Sequence, residues 1–230
     1  MLPRVWCLLF AAVSLSGAQT PKLPRLNDPA LRLEPLATAP EIEAPTTVCS
    51  APDGSFYVGC DPRDTRLNTE RPECYIVRYS STGADKKRTV FADKIYSPAG
   101  SQWLDGWLYV THDPFMSRFK DTDGDGVADV REDLVTNLGH VPYGGLNDHC
   151  VSGFTLGMDG YFYISVGDRG VYQAEPKSNS VHPLTLTMQG GGIIRCRADG
   201  TELSVFSTGT RNHLAVLLDA EDNASALHRD

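Results

Sequence analysis

An all-β fold, a β-propeller of four-stranded blades, is what the sequence predicts, and three observations carry it. A turn signal with Asp-Gly precedes an alternating aromatic and β-branched stretch at "APDGSFYVG" from residue 51, "WLDGWLYVT" from 103 and "GMDGYFYIS" from 157, with a degenerate copy "DAEDNASAL" from 219. The acids of these turns, Asp53, Asp105 and Asp159, lie 52 and 54 residues apart, and Asp222 follows 63 later. Repeats of about 50 residues made of short strands belong to propeller blades. No helical periodicity of comparable strength interrupts them.

From the N-terminus, Arg4, the apolar run Val5 to Leu15 and the small-residue end "SGA" read as a secretory signal over residues 1–18, cleaved after Ala18. The predicted location is therefore exported, periplasmic or extracellular. The run is too short to span a bilayer, and no later stretch reaches the roughly 20 apolar residues a span needs. Net charge of −8 without a basic run excludes nucleic acid as a partner class. Of six cysteines, Cys7 leaves with the signal. Cys49, Cys60 and Cys74 could include a disulfide, and their spacing matches no zinc or haem motif.

Residues 19–45 hold six prolines (21, 24, 29, 35, 40 and 45) and read as an extended lead-in, with the propeller domain over 46–230. Three good repeats and the start of a fourth fall short of the usual ring, so the expectation is a truncated propeller, against the alternative of a small four-bladed one.

The sharpest motif is "DTDGDGVADVRE", residues 121–132. It fits a twelve-residue calcium loop throughout: Asp121, Asp123 and Asp125 at positions 1, 3 and 5, Gly126 at the sharp turn, the Val127 carbonyl at 7, Asp129 at 9 and Glu132 at 12. A hard cation needs six to eight oxygens, which this alternation supplies. The flanks read as strands, so the loop is expected as a structural calcium site inserted between strands of the second blade.

The stretch "NDHCVSGFTLGMDGYFYISVGDRG", residues 147–170, carries the candidate chemistry. A hairpin centred between Met158 and Asp159 sets His149 opposite Asp168. A carboxylate beside an imidazole fixes its tautomer and raises its basicity, as a general base requires. "GTRNH", residues 209–213, then puts Arg211 and Asn212 at the equivalent start of the next repeat, so base, cation and amide are expected at one mouth of the central channel. "QGGGIIR" (189–195) lacks a phosphate-loop pattern and reads as a glycine-rich blade connection.

These motifs, with "GGGIIRCRADG" and "STGTRNHLAV", resemble the soluble quinoprotein glucose and sorbosone dehydrogenases, six-bladed propellers that use pyrroloquinoline quinone (PQQ). They are closer still to the exported propeller-type "membrane-bound dehydrogenase" proteins of planctomycetes. The resemblance spans roughly residues 46–223. It implies a sugar or alcohol dehydrogenase in which His149 is the catalytic base, Asp148 and Asp168 support it, and Arg211 with Asn212 contacts the quinone. His149 would take the substrate's hydroxyl proton while hydride passes from the same carbon to the quinone, with Arg211 stabilising the charge that grows on the quinone oxygens. The substrate is then a small sugar or alcohol, with an unidentified electron acceptor. The ligands of the cofactor's own calcium fall at or beyond Asp230, which implies that this chain by itself is inactive. Two other functions fit the fold: a non-enzymatic exported propeller binding a glycan or protein, and a lactonase-like propeller hydrolase with a metal held by carboxylates and amides.

Overall fold

The computed structural model describes residues 23–62, 74–80, 86–139, 149–177 and 185–229. The signal over 1–18 and Asp148 lie outside them. The chain divides into a unit Met1–Glu41, in whose described part no strand forms, and a unit Ile42–Asp230 that holds all the sheets.

The first blade is the antiparallel sheet β1 (Pro45–Ser50), β2 (Phe56–Cys60), β3 (Cys74–Tyr79) and β4 (Arg88–Ile95), in that order. The second begins with β5 (Pro98–Leu104), β6 (Trp107–His112), β7 (Phe115–Lys120) and β8 (Val130–Thr136). The third is β9 (Val151–Leu156), β10 (Tyr161–Val166), β13 (Gly191–Arg197) and β14 (Ser204–Thr210). A fourth sheet pairs β15 (Asn212–Leu218) with β16 (Ala224–Arg229). The propeller is thus present as three four-stranded blades and two strands of a fourth, as the 50-residue repeat requires.

The repeated Asp turns make the hairpins. Leu104 pairs with Trp107, leaving Asp105 and Gly106 as a two-residue loop with φ of 48° and 80°. Positive φ at both positions is the turn whose twist matches that of the strands it joins. At the other hairpins the acid closes its own loop: Asp53 accepts from the Ser55 N–H at 2.9 Å, and Asp159 from the Tyr161 N–H at 3.0 Å.

The second strands of the second and third blades are apolar on both faces, as in "WLYVTH", because each is covered by a sheet on either side. The core accordingly lies between blades. Tyr57, Ile76, Phe91, Leu108 and Phe119 fill the space between the first and second, and Met116, Leu134, Phe162, Ile164 and Ile194 that between the second and third. The inner strands converge where side chains are small. A Cβ on Gly100 of β5 would stand 3.0 Å from the Gly153 Cα of β9, and one on Gly153 would stand 2.9 Å from the Leu214 carbonyl of β15.

Two features escaped the sequence pattern. Between β10 and β13 the chain forms β11 (Val171–Pro176) and β12 (Leu186–Met188), which join the edge of the second blade, with Glu175 opposite Thr136 on β8. And "NASALHRD", whose alternation is lost, still supplies β16, because Asp219 accepts from the Asn223 backbone N–H at 2.9 Å and from its Nδ2 at 2.8 Å and so closes the hairpin. None of Cys49, Cys60, Cys74, Cys150 and Cys196 is in a disulfide, so the one considered among the first three does not form.

Candidate functional site

His149 and Asp168 meet. Imidazole Nδ1 and carboxylate Oδ1 are 2.5 Å apart, at the start of β9 and just past the end of β10. The route to this contact differs from a simple hairpin. Near the turn the register is Phe162 to Leu156 and Ile164 to Phe154, one residue off the expected centre, and a bulge between Ile164 and Val166 restores it so that Val166 faces Val151. From there the Gly167 N–H donates to the Cys150 carbonyl at 2.7 Å and the Arg169 N–H to the His149 carbonyl at 3.2 Å. Asp168 lies between these two anchors.

The same bulge lies on the first strand of the first and second blades, so the exposure of this acid has another source, the length of the segment after the second strand. "YVGCD" ends in Asp61 and "YVTHD" in Asp113, both buried at the ends of β2 and β6, whereas "YISVGD" has one residue more. The extra residue carries Asp168 out to where its side chain is 37% exposed.

Arg211 sits on the other side of the pair, its Nε 3.8 Å from Asp168 Oδ2, with its side chain 55% exposed. The His149 hydrogen bond, with the charge of Arg211 behind it, holds the Asp168 carboxyl below the usual carboxylate range. The glycine-rich run places this arginine. A Cβ on Gly191, the first residue of β13, would lie 1.9 Å from the Arg211 carbonyl, so only a bare Cα admits that backbone. The "QGGGIIR" stretch is therefore strand start as well as connection.

Asn212 is placed differently from Arg211. Its side chain is buried, 3% exposed, and its Oδ1, which has no hydrogen-bond partner, lies beside Gly167, where an added Cβ would meet it at 2.6 Å. It therefore packs against the turn that carries Asp168, whereas the Arg211 side chain is exposed beside that acid. Arg211 is thus exposed and Asn212 buried. Asp148, the other acid assigned to the base, lies outside the described residues.

Two polar groups at the end of β6 were missed by sequence reasoning. Asp113 is buried at the end of β6 with Oδ1 unpartnered, pressed against the bare face of Gly139. Thr111, two residues earlier, donates through Oγ1 to the Ser152 carbonyl at 2.7 Å, which ties this end of the second blade to the start of β9. Burial pushes the Asp113 carboxyl up to about 7, against the pull of the Arg169 charge. Arg169 is half-buried on the turn after Asp168. The recurrence of Asp after the second strand was a signal that could have pointed to Asp113.

Of the stretch 121–132, residues 121–129 form the connection between β7 and β8, on the outer half of the second blade, and the rest begins β8. Asp121, Asp123 and Asp129 bring carboxylate oxygens within 4.8 Å of one another, the one such grouping among the described residues. Asp121 also accepts from the N–H groups of Gly124 and Gly126 at 2.7 and 2.9 Å, while Asp125 accepts from the Val127 N–H at 2.7 Å. Glu132 is not in the grouping. It falls inside β8 opposite Arg118, and its Oε2 accepts from Arg118 Nη2 at 2.9 Å and Lys177 Nζ at 2.5 Å. The loop docks on the first blade: the Ala128 N–H donates to the Phe91 carbonyl at 2.8 Å, and Thr89 Oγ1 to the Gly126 carbonyl at 2.9 Å.

The profile of a family described only as a domain of unknown function, DUF7133, matches residues 25–226. The chain belongs to that family. No curated protein matches this DUF7133 chain. Among solved structures it is similar to a gluconolactonase from Xanthomonas campestris, with a TM-score of 0.53 and 17% identity over 85% of this chain and 58% of that one. The DUF7133 chain thus spans 58% of the length of that structure. At this identity the likeness speaks for the propeller fold.

Proposed function

We propose that the mouth formed by His149, Asp168 and Arg211 is the reaction site of an exported dehydrogenase that oxidises a sugar or alcohol with PQQ. The observation that carries the reading is the 2.5 Å contact of His149 Nδ1 with Asp168, with Arg211 on the second carboxylate oxygen. Asp168 on Nδ1 leaves the lone pair of the neutral ring on Nε2, the nitrogen that would take the substrate's hydroxyl proton. The positive charge then formed on the imidazole is met by the carboxylate already beside it. Arg211, exposed at the same mouth, would hold an anionic oxygen of the cofactor. When bound, PQQ would supply the hydride acceptor.

The test compares variants in dye reduction and in quinone titration. His149→Ala should lower kcat by about 10²- to 10⁴-fold, the usual worth of a general base, and leave quinone affinity within about twofold. Arg211→Ala should weaken both. Protein that binds no quinone would remove the dehydrogenase reading.

A second reading, lactone hydrolysis, is favoured by the similarity to a gluconolactonase fold. In a parallel assay, gluconolactone hydrolysis that persists without added quinone would support it.

We propose further that the 121–132 loop holds calcium through Asp121, Asp123 and Asp129 as a structural ion. Asp123→Ala should abolish calcium binding in calorimetry and remove the rise in melting temperature that calcium gives the unaltered chain. Equal calcium affinity in the variant would end the proposal.

A further inference from the structure

The bulge that brings His149 to Asp168 recurs in all four sheets, but its surroundings do not. Ser152 and Gly153 of β9 stand opposite the single residue Ser165 of β10, and the extra residue is Thr46 in β1, Ala99 in β5 and Leu214 in β15. A bulge leaves its extra residue out of the ladder, so a buried carbonyl there needs another donor. At β9 the donor comes from the second blade. The Thr111 hydroxyl reaches the Ser152 carbonyl at 2.7 Å, with both residues buried. Gly100 leaves the room for it, since a Cβ there would stand 2.8 Å from Thr111 Oγ1 and 3.0 Å from the Gly153 Cα. In the place of Thr111 the first blade has Gly59, which carries no hydroxyl, and the third has Ser165, whose Oγ is buried with no hydrogen-bond partner. Among the described residues the tie from one blade to the next blade's bulge is therefore made at one junction of three, the one whose bulge sets a histidine beside an aspartate. A general need of the fold would have repeated it.

We propose that Thr111 is a positioning residue for His149, its hydroxyl pinning the β9 bulge in the register in which His149 Nδ1 meets Asp168 Oδ1. The bulge takes up one residue between Phe154 and Val151, and without it every residue ahead of Ser152 would move one place against β10. His149 would then fall out of step with Asp168. The Gly167 and Arg169 N–H groups also hold this segment, but they belong to the turn that carries Asp168 and move with it. Thr111 ties it to the neighbouring blade instead. Loss of the hydroxyl leaves a buried carbonyl unmet, which the chain relieves by shifting β9, and His149 with it. The placement of the imidazole stands whichever reaction the pair performs, whereas its effect on rate rests on the dehydrogenase reading.

The experiment compares Thr111→Val, which keeps the shape and removes the donor, with Thr111→Ser, which keeps the donor. The readout is the ring nitrogen and Nδ1–H signals of His149 in NMR. Thr111→Val should lose the Nδ1–H signal shared with Asp168 and move the ring nitrogens, and Thr111→Ser should keep both as in the parent. Thr89→Val is the matched control, because Thr89 Oγ1 gives a bond of the same kind to the Gly126 carbonyl at 2.9 Å. It should lower the denaturant midpoint and leave the His149 signals in place. In dye reduction, Thr111→Val should lower kcat by about 10- to 100-fold with KM within about twofold, and Thr111→Ser should recover most of the loss. A parent protein without turnover would end the dehydrogenase reading and leave the NMR comparison to decide for Thr111. Two results would overturn the proposal. One is Thr111→Val protein that melts earlier yet keeps the parent signals of His149, which would make the bond a structural tie alone. The other, readable even if valine prevents folding, is Thr111→Ser protein with displaced His149 signals, which would assign the effect to the threonine methyl group.

Discussion

Replacing Gly167 with alanine should separate His149 from Asp168 and destabilise the chain by about 1–3 kcal/mol, the usual cost of forcing an extra methyl group into a packed site. The new Cβ would stand 2.4 Å from the His149 carbonyl oxygen and 2.6 Å from Asn212 Oδ1. One of these neighbours is backbone and the other a buried side chain, so neither yields cheaply. The turn must move outward, and it carries Asp168. A displacement of about 1 Å in a positioned catalytic group can cost on the order of 10²-fold in rate. The matched control is Gly106→Ala, where φ is 80° and nothing lies within 4 Å of the added atom. That change strains the backbone by about 1 kcal/mol and touches no site residue. Urea unfolding with imidazole nitrogen shifts for His149 measures both effects. Should Gly167→Ala keep the wild-type imidazole shifts and rate, the pair is not held by this backbone contact.

The largest pH effect should appear only when one of two adjacent buried groups is removed. Burial lifts Asp113 from 3.8 to about 7, so between about pH 4 and 7 the folded chain keeps a proton the unfolded chain has lost. Its contribution to stability therefore declines as pH rises through that window and is level above it. Burial drives His112 the other way, from 6.5 to about 3, with its Nδ1 unpartnered and Nε2 on Ser117 Oγ at 2.9 Å. Its contribution is complete above about pH 6.5 and declines as pH falls towards 3. Each slope approaches roughly 1.4 kcal/mol per pH unit, with opposite sign, so from about pH 4 to 6.5 the two cancel. Asp113→Asn should leave stability rising with pH across that range, and His112→Gln should leave it falling. Denaturant midpoints taken at half-unit pH steps would show the tilt; parallel curves for the parent and both variants would refute the pairing.

The blades were legible because each hairpin advertises itself locally. Asp53 and Asp159 close their turns with neighbours two residues away, Asp105 and Gly106 form a two-residue turn, and the strands after them alternate. The meeting of His149 and Asp168 was legible for a less direct reason. Counting from the turn gives the right partner, yet the hairpin register is one residue off and the bulge before Val166 corrects it. What stayed hidden depends on residues distant in the chain. The strands β11 and β12 find their partner β8 in another blade, so nothing beside them announces the pairing. Asn212 is buried by contact with Gly167, forty-five positions earlier, and could not be told from a mouth residue. Glu132 completes a ligand pattern in sequence, but its place in β8 turns it to Arg118 and Lys177.

In an array of repeats joined by side-chain packing alone, stability is a sum of local terms and one unit can come apart while its neighbours stay folded. Here the middle blade is stitched on both sides by main-chain bonds. The Ala128 N–H reaches across to the Phe91 carbonyl of the first blade, and β8 accepts β11 from the third, with the Lys177 N–H on the Leu134 carbonyl at 2.6 Å. Amide protons in all three should therefore share one opening reaction, and an ion seated in the 121–129 turn would slow exchange in the first blade, which contributes none of its ligands.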